Sequence, residues 1–263
     1  MKFSMMTYSM MRQKTYTPAD CIRVAVELGM DGIDWVSTYG EDPRELKKRC
    51  DDVNLPVVAH TFFLRKADLE DVAGAAARNL DNAVALGAPL VMIPPMPLDK
   101  ELDDKGNRKI WAGILQKVAP LAKERGLQLS VENFPGKISP VVTADDFYEL
   151  KAEVPELKLT FDNGNADSGE DQIGSLRRCF KDVIHVHFKD WLRYPTPPND
   201  KPKEMRDGKF YVPALIGEGT VDSRATLREL EKLGYTGYIN IEYEGDDKPA
   251  DKAIQQALGY LRS

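Results

Sequence analysis

Histidine is scarce in this chain, three residues in 263, and cysteine is equally so. Cys21, Cys50 and Cys179 are widely spaced and odd in number, and no CxxC or CxxxC occurs. That spacing speaks against a disulfide framework and predicts a reduced, intracellular chain with buried or idle thiols. No stretch reaches the ~18 apolar residues that a membrane span needs. The opening "MKFSMMTYSM" is too short for a signal-peptide core and lacks a cleavage pattern. A soluble, cytoplasmic protein without a membrane partner is the expectation. There is no basic run, and Lys plus Arg (36) fall short of Asp plus Glu (42), for a net charge of −6. Such a surface is a poor partner for nucleic acid.

What is present is a regular alternation. The apolar fraction of 42% supports a sizeable core. Short apolar runs predict strands over 2–7, 32–36, 56–60, 89–94, 127–133, 157–163, 183–190 and 237–244. Amphipathic stretches predict helices over 17–29, 43–52, 69–87, 109–126, 143–153, 172–180, 223–234 and 249–262, with Thr17 and Thr143 as caps and Gly29, Gly87 and Gly126 as stops. Eight strand–helix units close most naturally into a single α/β domain, a (β/α)8 TIM barrel over 1–263. An open doubly wound sheet competes, but "YSMMRQKTY" after the first strand is no Gly-rich phosphate loop. One long connection, about 191–220, reads as a lid or binding loop.

In a barrel, chemistry gathers at the C-terminal strand ends. There the sequence places His60; Glu132 and Asn133; Asp162 and Asn163; His185, His187, Lys189 and Asp190; and Glu242 with Glu244. Singly, each has an ordinary reading as a loop residue, a cap, a turn or a core histidine. Together they crowd carboxylates around one point, which is costly unless a cation stands among them. Carboxylates with an imidazole and no thiolate suit one divalent ion, Mn2+ first, with Mg2+, Co2+ or Zn2+ as alternatives.

The segments "SVENFPG" (130–136), "LTFDNGNA" (159–166), "IHVHFKDW" (184–191), "IGEGTVD" (216–222) and "GYINIEYEG" (237–245) occur in an order that resembles the sugar phosphate isomerase/epimerase family of the xylose-isomerase-like TIM barrel superfamily. The resemblance spans nearly the whole chain. It implies Glu132, Asp162, His187 and Glu242 as metal ligands, with Glu132 and Glu242 also moving protons. It further implies His60, Asn165 and Arg193 as substrate contacts. His185, one pleat deeper, is read as a supporting or core residue. Asn165 stands where many members carry histidine, and Ile138 where ketose 3-epimerases carry glutamate, so a free ketose 3-epimerase is not implied.

The chemistry expected is proton abstraction next to a carbonyl, giving a cis-enediolate of a keto sugar or sugar phosphate. Isomerisation or epimerisation is the leading outcome, and dehydration of an inosose or keto sugar is the alternative. A sugar-binding barrel without catalysis is the third reading. A histidine-rich endonuclease site is excluded by composition. Lys189 and Arg193 are candidates for an anionic substrate group, while Lys201, Lys203 and Arg206 are interleaved with Asp200, Glu204 and Asp207 and read as a solvated loop. Trp35 and Trp191 could wall a sugar ring or simply pack the barrel. A homo-oligomer stays open.

Overall fold

Runs rich in Val, Ile, Phe and Met become strands because branched and bulky side chains pack well on a pleated surface. The computed structural model describes residues 1–199 and 201–263; Asp200 of the expected loop lies outside them. Seven parallel strands come first: β1 (Lys2–Met6), β2 (Gly32–Val36), β3 (Val57–Thr61), β4 (Leu90–Ile93), β5 (Gln128–Glu132), β6 (Lys158–Asp162) and β7 (Val183–Phe188). Then β8 (Asp190–Tyr194), β9 (Lys203–Glu204) and β10 (Phe210–Ala214) form a separate antiparallel sheet. Finally β11 (Tyr238–Ile241) pairs with β7 and β1 and closes the expected eight-stranded barrel.

Around the barrel run α1 (Thr7–Met11), α2 (Pro18–Glu27), α3 (Pro43–Asp52), α4 (Val72–Leu86), α5 (Asp104–Glu124), α6 (Ala144–Glu153), α7 (Asn163–Asp167), α8 (Gln172–Cys179), α9 (Ser223–Lys232) and α10 (Ala250–Arg262). Thr17 and Thr143 cap α2 and α6 in full capping boxes with Asp20 and Asp146. Gly87 ends α4 at φ 70°, a left-handed turn that a side chain resists. Cys21, Cys50 and Cys179 are free and buried on α2, α3 and α8. Among the described residues, no helix is long and apolar enough to cross a membrane.

Three departures from the expectation have local causes. Helix α5 begins at Asp104 rather than at 109, because the Asp103 carboxylate caps the Gly106 N–H. The strand expected over 157–163 ends at Asp162, because the Asp162 carboxylate caps the one-turn helix α7 that begins at Asn163. The connection at 191–220 is not irregular throughout. Its β9–β10 hairpin turns at Asp207-Gly208, with Gly208 at φ 77°, an Asp-Gly signal suited to such a turn. Trp191, Met205, Tyr211 and Val221 form a small core of their own beneath it.

Register decides which side chains meet. Ser4, Asn240, His187 and Asp162 are successive partners on β1, β11, β7 and β6, so they share one face. Trp35, His60 and Val91 are partners on β2, β3 and β4 and share the opposite face. The former set points into the barrel, and the latter points into the apolar layer against the helices. Burying a large side chain in that layer contributes roughly 1.5–3 kcal/mol. Inside the barrel the filling is polar: Ser130 Oγ lies 2.8 Å from Thr160 Oγ1, and Thr61 Oγ1 donates to the Asp34 carboxylate at 3.3 Å.

Candidate metal centre

Four consecutive positions around the barrel mouth supply the cluster. Glu132 ends β5, Asp162 ends β6, His187 lies near the end of β7, and Glu242 follows β11. All four are buried, and each offers one ligand atom within 4.8 Å of the others. His187 Nδ1 lies 2.7 Å from Glu132 Oε1 and 3.8 Å from Glu242 Oε2. Neighbouring amides hold the frame. Asn133 donates to the Asp162 carbonyl and accepts the Asp162 N–H, each at 2.8 Å. Asn163 accepts the Lys189 N–H at 3.0 Å and donates to Ser223 Oγ at 3.0 Å. Asp162 Oδ1 accepts the Asn165 N–H at 2.7 Å, leaving Oδ2 buried without a hydrogen-bond partner.

The structure seats the Lys189 ammonium among these carboxylates. Its Nζ lies 3.1 Å from Glu242 Oε2, 3.0 Å from Glu244 Oε1 and 3.7 Å from Asp162 Oδ2. The Glu242 contact is an ion pair outside hydrogen-bond geometry, so Oε2 keeps an open acceptor. Lys203 reaches Glu244 Oε2 at 3.1 Å. Burying each carboxylate costs several kcal/mol, and two lysines offset only part of that. Burial pushes Asp162 up to about 7 even though Lys189 opposes it. Burial, with Glu244, Glu132 and Asp162 nearby, raises Glu242 well above the carboxylate range. Burial also disfavours charge on Glu244, yet Lys189 and Lys203 hold its carboxyl well below that range. Burial alone would lower His187, but the facing carboxylates of Asp34 and Glu132 push it up to about 10. Two buried, unpartnered carboxylate oxygens beside an imidazole, with a surplus of negative charge, fit a divalent cation.

One residue of this network escaped the sequence reading. Asp34, on β2, is fully buried below the mouth. Its Oδ2 accepts from Asn240 Nδ2 at 2.7 Å and lies 3.5 Å from His185 Nε2 and 3.7 Å from His187 Nε2. The two longer contacts are electrostatic. They outweigh the burial cost and hold the Asp34 carboxyl well below its ordinary range. His185 sits one layer beneath His187, ring centroids 5.1 Å apart, and burial lowers its pKa. The only sequence signal was an acid inside the apolar run "GIDWV".

The expected substrate contacts divide. Trp35 and His60 are placed away from the mouth, on the helix-facing side. His60 Nδ1 bonds the Trp35 carbonyl at 2.8 Å, and burial lowers its pKa; Trp35 packs edge-on against Tyr39 at 6.5 Å. Strand alternation puts Asp34 and Thr61 inward, and so turns Trp35 and His60 out. Arg193 is half-buried, paired with Asp167 and stacked 5.2 Å from the Tyr211 ring. Asn165 is buried beside the cluster, and neither atom of its amide has a partner. Trp191 lies beneath the Lys189 and Lys203 ammoniums at 5.5 and 5.2 Å. Asp190 accepts backbone N–H groups from Trp191, Gly217, Gly219 and Val221 at 2.8–3.0 Å and so clasps the 217–221 segment.

A cavity of about 110 Å³ opens over the cluster, lined among others by Met6, Tyr8, Thr61, Glu132, Lys203 and Glu242. A larger groove of about 690 Å³ runs outside the barrel between α5 and α6 and contains none of the candidate residues.

The closed parallel barrel with an acidic, histidine-bearing mouth defines the class, and the sequence comparison makes it specific. The family described as xylose isomerase-like TIM barrel matches residues 22–263, and the chain belongs to it. An inosose dehydratase of Clostridium perfringens is 27% identical over 274 residues, covering 95% of this chain and 90% of that protein. One from Lacticaseibacillus casei is 25% identical over 244 residues, covering 85% and 80%. Among solved structures, the probable 3-DHS dehydratase AsbF of Bacillus anthracis superposes with a TM-score of 0.80 at 18% identity, covering 100% of this chain and 99% of that one. The IOLI protein with a bound zinc atom gives 0.77 at 17% identity, covering 98% and 96%. The 3-keto-D-glucoside 4-epimerase YcjR of E. coli gives 0.75 at 19% identity, covering 100% and 99%. At these identities the structures share the fold.

The isomerase or epimerase expected from the sequence is corrected by the curated relatives, which are inosose dehydratases and therefore lyases. The reason is chemical. All three outcomes begin with the same proton abstraction, so motifs that serve that step cannot choose among them.

Proposed function

We propose that this barrel is a divalent-metal-dependent dehydratase of a keto sugar of the inosose type. The observation that carries the reading is the convergence of Glu132, Asp162, His187 and Glu242 at one barrel mouth, in a chain whose curated relatives are inosose dehydratases. Glu132, Asp162, His187 and Glu242 would hold the ion. Mn2+ is the first choice for this donor set, and zinc is the ion bound in one structural neighbour. When bound, the ion supplies a Lewis acid for the carbonyl and an adjacent hydroxyl oxygen.

The remaining work falls to side chains. Glu132 and Glu242 both face the cavity, from β5 and from the end of β11. One takes the proton from the carbon next to the carbonyl, and the C–H electron pair becomes the new carbon–carbon double bond. The β C–O bond then breaks, and the other carboxyl protonates the departing hydroxyl, so one water leaves and the rest of the substrate is conserved. Lys189 offsets part of the negative charge of the crowded carboxylates.

The test is incubation with Mn2+ and a panel of inososes, keto sugars and their phosphates in D2O, followed by NMR. Loss of a β-hydroxyl with deuterium exchange next to the carbonyl is expected. A stereoisomer formed without loss of water sinks the lyase reading. Purified chain that binds no divalent ion and turns over nothing returns the non-catalytic reading.

A further inference from the structure

Three cations of the β7–α9 connection are already engaged. Lys189 and Lys203 face Glu244, and Arg193 is paired with Asp167. Across the barrel the situation differs. A second cavity of about 400 Å³, several times the volume over the acidic cluster, adjoins it and shares Tyr8 and Phe63 as walls. It is built from the segments that follow β1, β2 and β3. Arg12 and Arg65 line it. Arg12 is tied to Asp246 at 2.8 Å and to the Gly245 carbonyl at 2.7 Å. The Arg65 guanidinium lies 6.0 Å over the Phe63 ring and forms no ion pair among the described residues.

The floor of this cavity is strained. Ser37 and Tyr39 line it with left-handed backbones, φ 72° and 53°. Among the described residues the remaining non-glycine of this kind is Asn54, a type that tolerates the conformation. Serine and tyrosine keep such angles only where the surroundings enforce them, and such strain concentrates at ligand sites. Here the Ser37 N–H donates to the Thr61 carbonyl at 2.9 Å, and the Tyr39 hydroxyl meets Thr7 Oγ1 at 3.2 Å. The turn is thereby fixed with Ser37 toward the cavity. Burial, with Glu244 and Glu242 nearby, raises the Tyr8 pKa, so its hydroxyl remains a donor at neutral pH.

We infer that this second cavity is a subsite for an oxyanion, a carboxylate or phosphate carried on the substrate ring, with Arg65 supplying the charge and the Tyr8 and Ser37 hydroxyls supplying donors. The inference rests on the dehydratase reading and narrows its substrate to an acidic or phosphorylated keto sugar. Electrostatics orients such a molecule. Glu132, Glu242 and Glu244 repel an anion from the smaller cavity, while Arg65 attracts it into the larger one. The keto end is thereby left over the metal cluster. Guanidinium against oxyanion is a strong, directional pairing.

The test is calorimetric titration of the full Mg2+-loaded chain with three probes: inorganic phosphate, inositol, and an inositol monophosphate. The monophosphate is expected to bind at least about tenfold more tightly than either half alone. Arg65→Gln should bring it close to inositol, Arg65→Lys should retain part of the gain, and Lys66→Gln, outside the cavity, should change nothing. A monophosphate that binds no more tightly than phosphate overturns the subsite, as does an affinity that survives Arg65→Gln, the result for phosphate held on the metal alone. Thermal melts of each variant exclude unfolding as the cause. Turnover is read separately with neutral keto-inositol. Dehydration without an Arg65-dependent gain sinks the subsite and spares the reaction. The gain without dehydration of any keto-inositol, neutral or phosphorylated, sinks the reaction instead.

Discussion

His187 presents its Nδ1 to Glu132 Oε1 at 2.7 Å, with both side chains buried. In the metal-free chain a proton bridges the two, and a cation must displace it. Asp162 is pushed up to about 7 by burial, and His187 up to about 10 by its facing carboxylates despite burial. Below about pH 7 a cation therefore competes with a proton on Asp162, and across the neutral range it also competes with the one on His187. Affinity for Mn2+ should tighten from pH 6 to pH 8, with proton release on binding. Calorimetry in two buffers of different ionisation heat reads both. A flat affinity across that interval would exclude these groups as ligands.

Asp34 should govern the metal from beneath. Asp34→Asn removes the charge under His187 while nearly preserving volume and the bond to Asn240. Metal affinity is expected to fall by about 10- to 100-fold, as for other carboxylate partners of ligand imidazoles. A changed His187 protonation, followed by 15N NMR, should accompany it. If the affinity is untouched while the melting temperature falls, Asp34 serves the fold alone.

Glu132→Gln and Glu242→Gln should each lower turnover by at least about 10²–10⁴, the range for a lost proton-transfer group. Measured metal occupancy separates the loss of a proton carrier from the loss of a ligand. A variant that retains full turnover removes that glutamate from the mechanism.

Gly164 lies where added volume has nowhere to go. A Cβ there would stand 2.7 Å from Lys189 Cγ, 3.0 Å from the Lys189 carbonyl and 3.0 Å from Trp191 Nε1. Gly164→Ala should cost about 1–3 kcal/mol of stability, the range for overpacking. It should also shift Lys189 among its carboxylates, visible as a changed pH profile of turnover. Unchanged stability and profile would mean that the β7 end is softer than its packing implies.

The barrel was legible because its periodicity is repeated eight times, and errors at single boundaries do not alter the count. Caps such as Thr17 and Thr143 fixed helix starts for the same local reason that they fix them in the structure. The convergence of Glu132, Asp162, His187 and Glu242 was legible because strand ends of a closed barrel share one rim. Side-chain direction was not. Trp35 and His60 were placed by nearness to a strand end, whereas the pleat turns them toward the helices. Asp34 was hidden because it stands in the middle of β2, whereas the expected site residues were those at strand ends. The hairpin at 203–214 was obscured by prolines and charges around its Asp-Gly turn.

Lys189 and Asp190 are consecutive, yet they belong to different parts of the machine. One side chain offsets the charge of the carboxylate cluster, and the other holds the 217–221 segment through its backbone donors. A single peptide unit thus joins the two. A substitution that loosens the 217–221 segment would therefore act on the charged cluster through one peptide unit, although none of its residues lines the cavity.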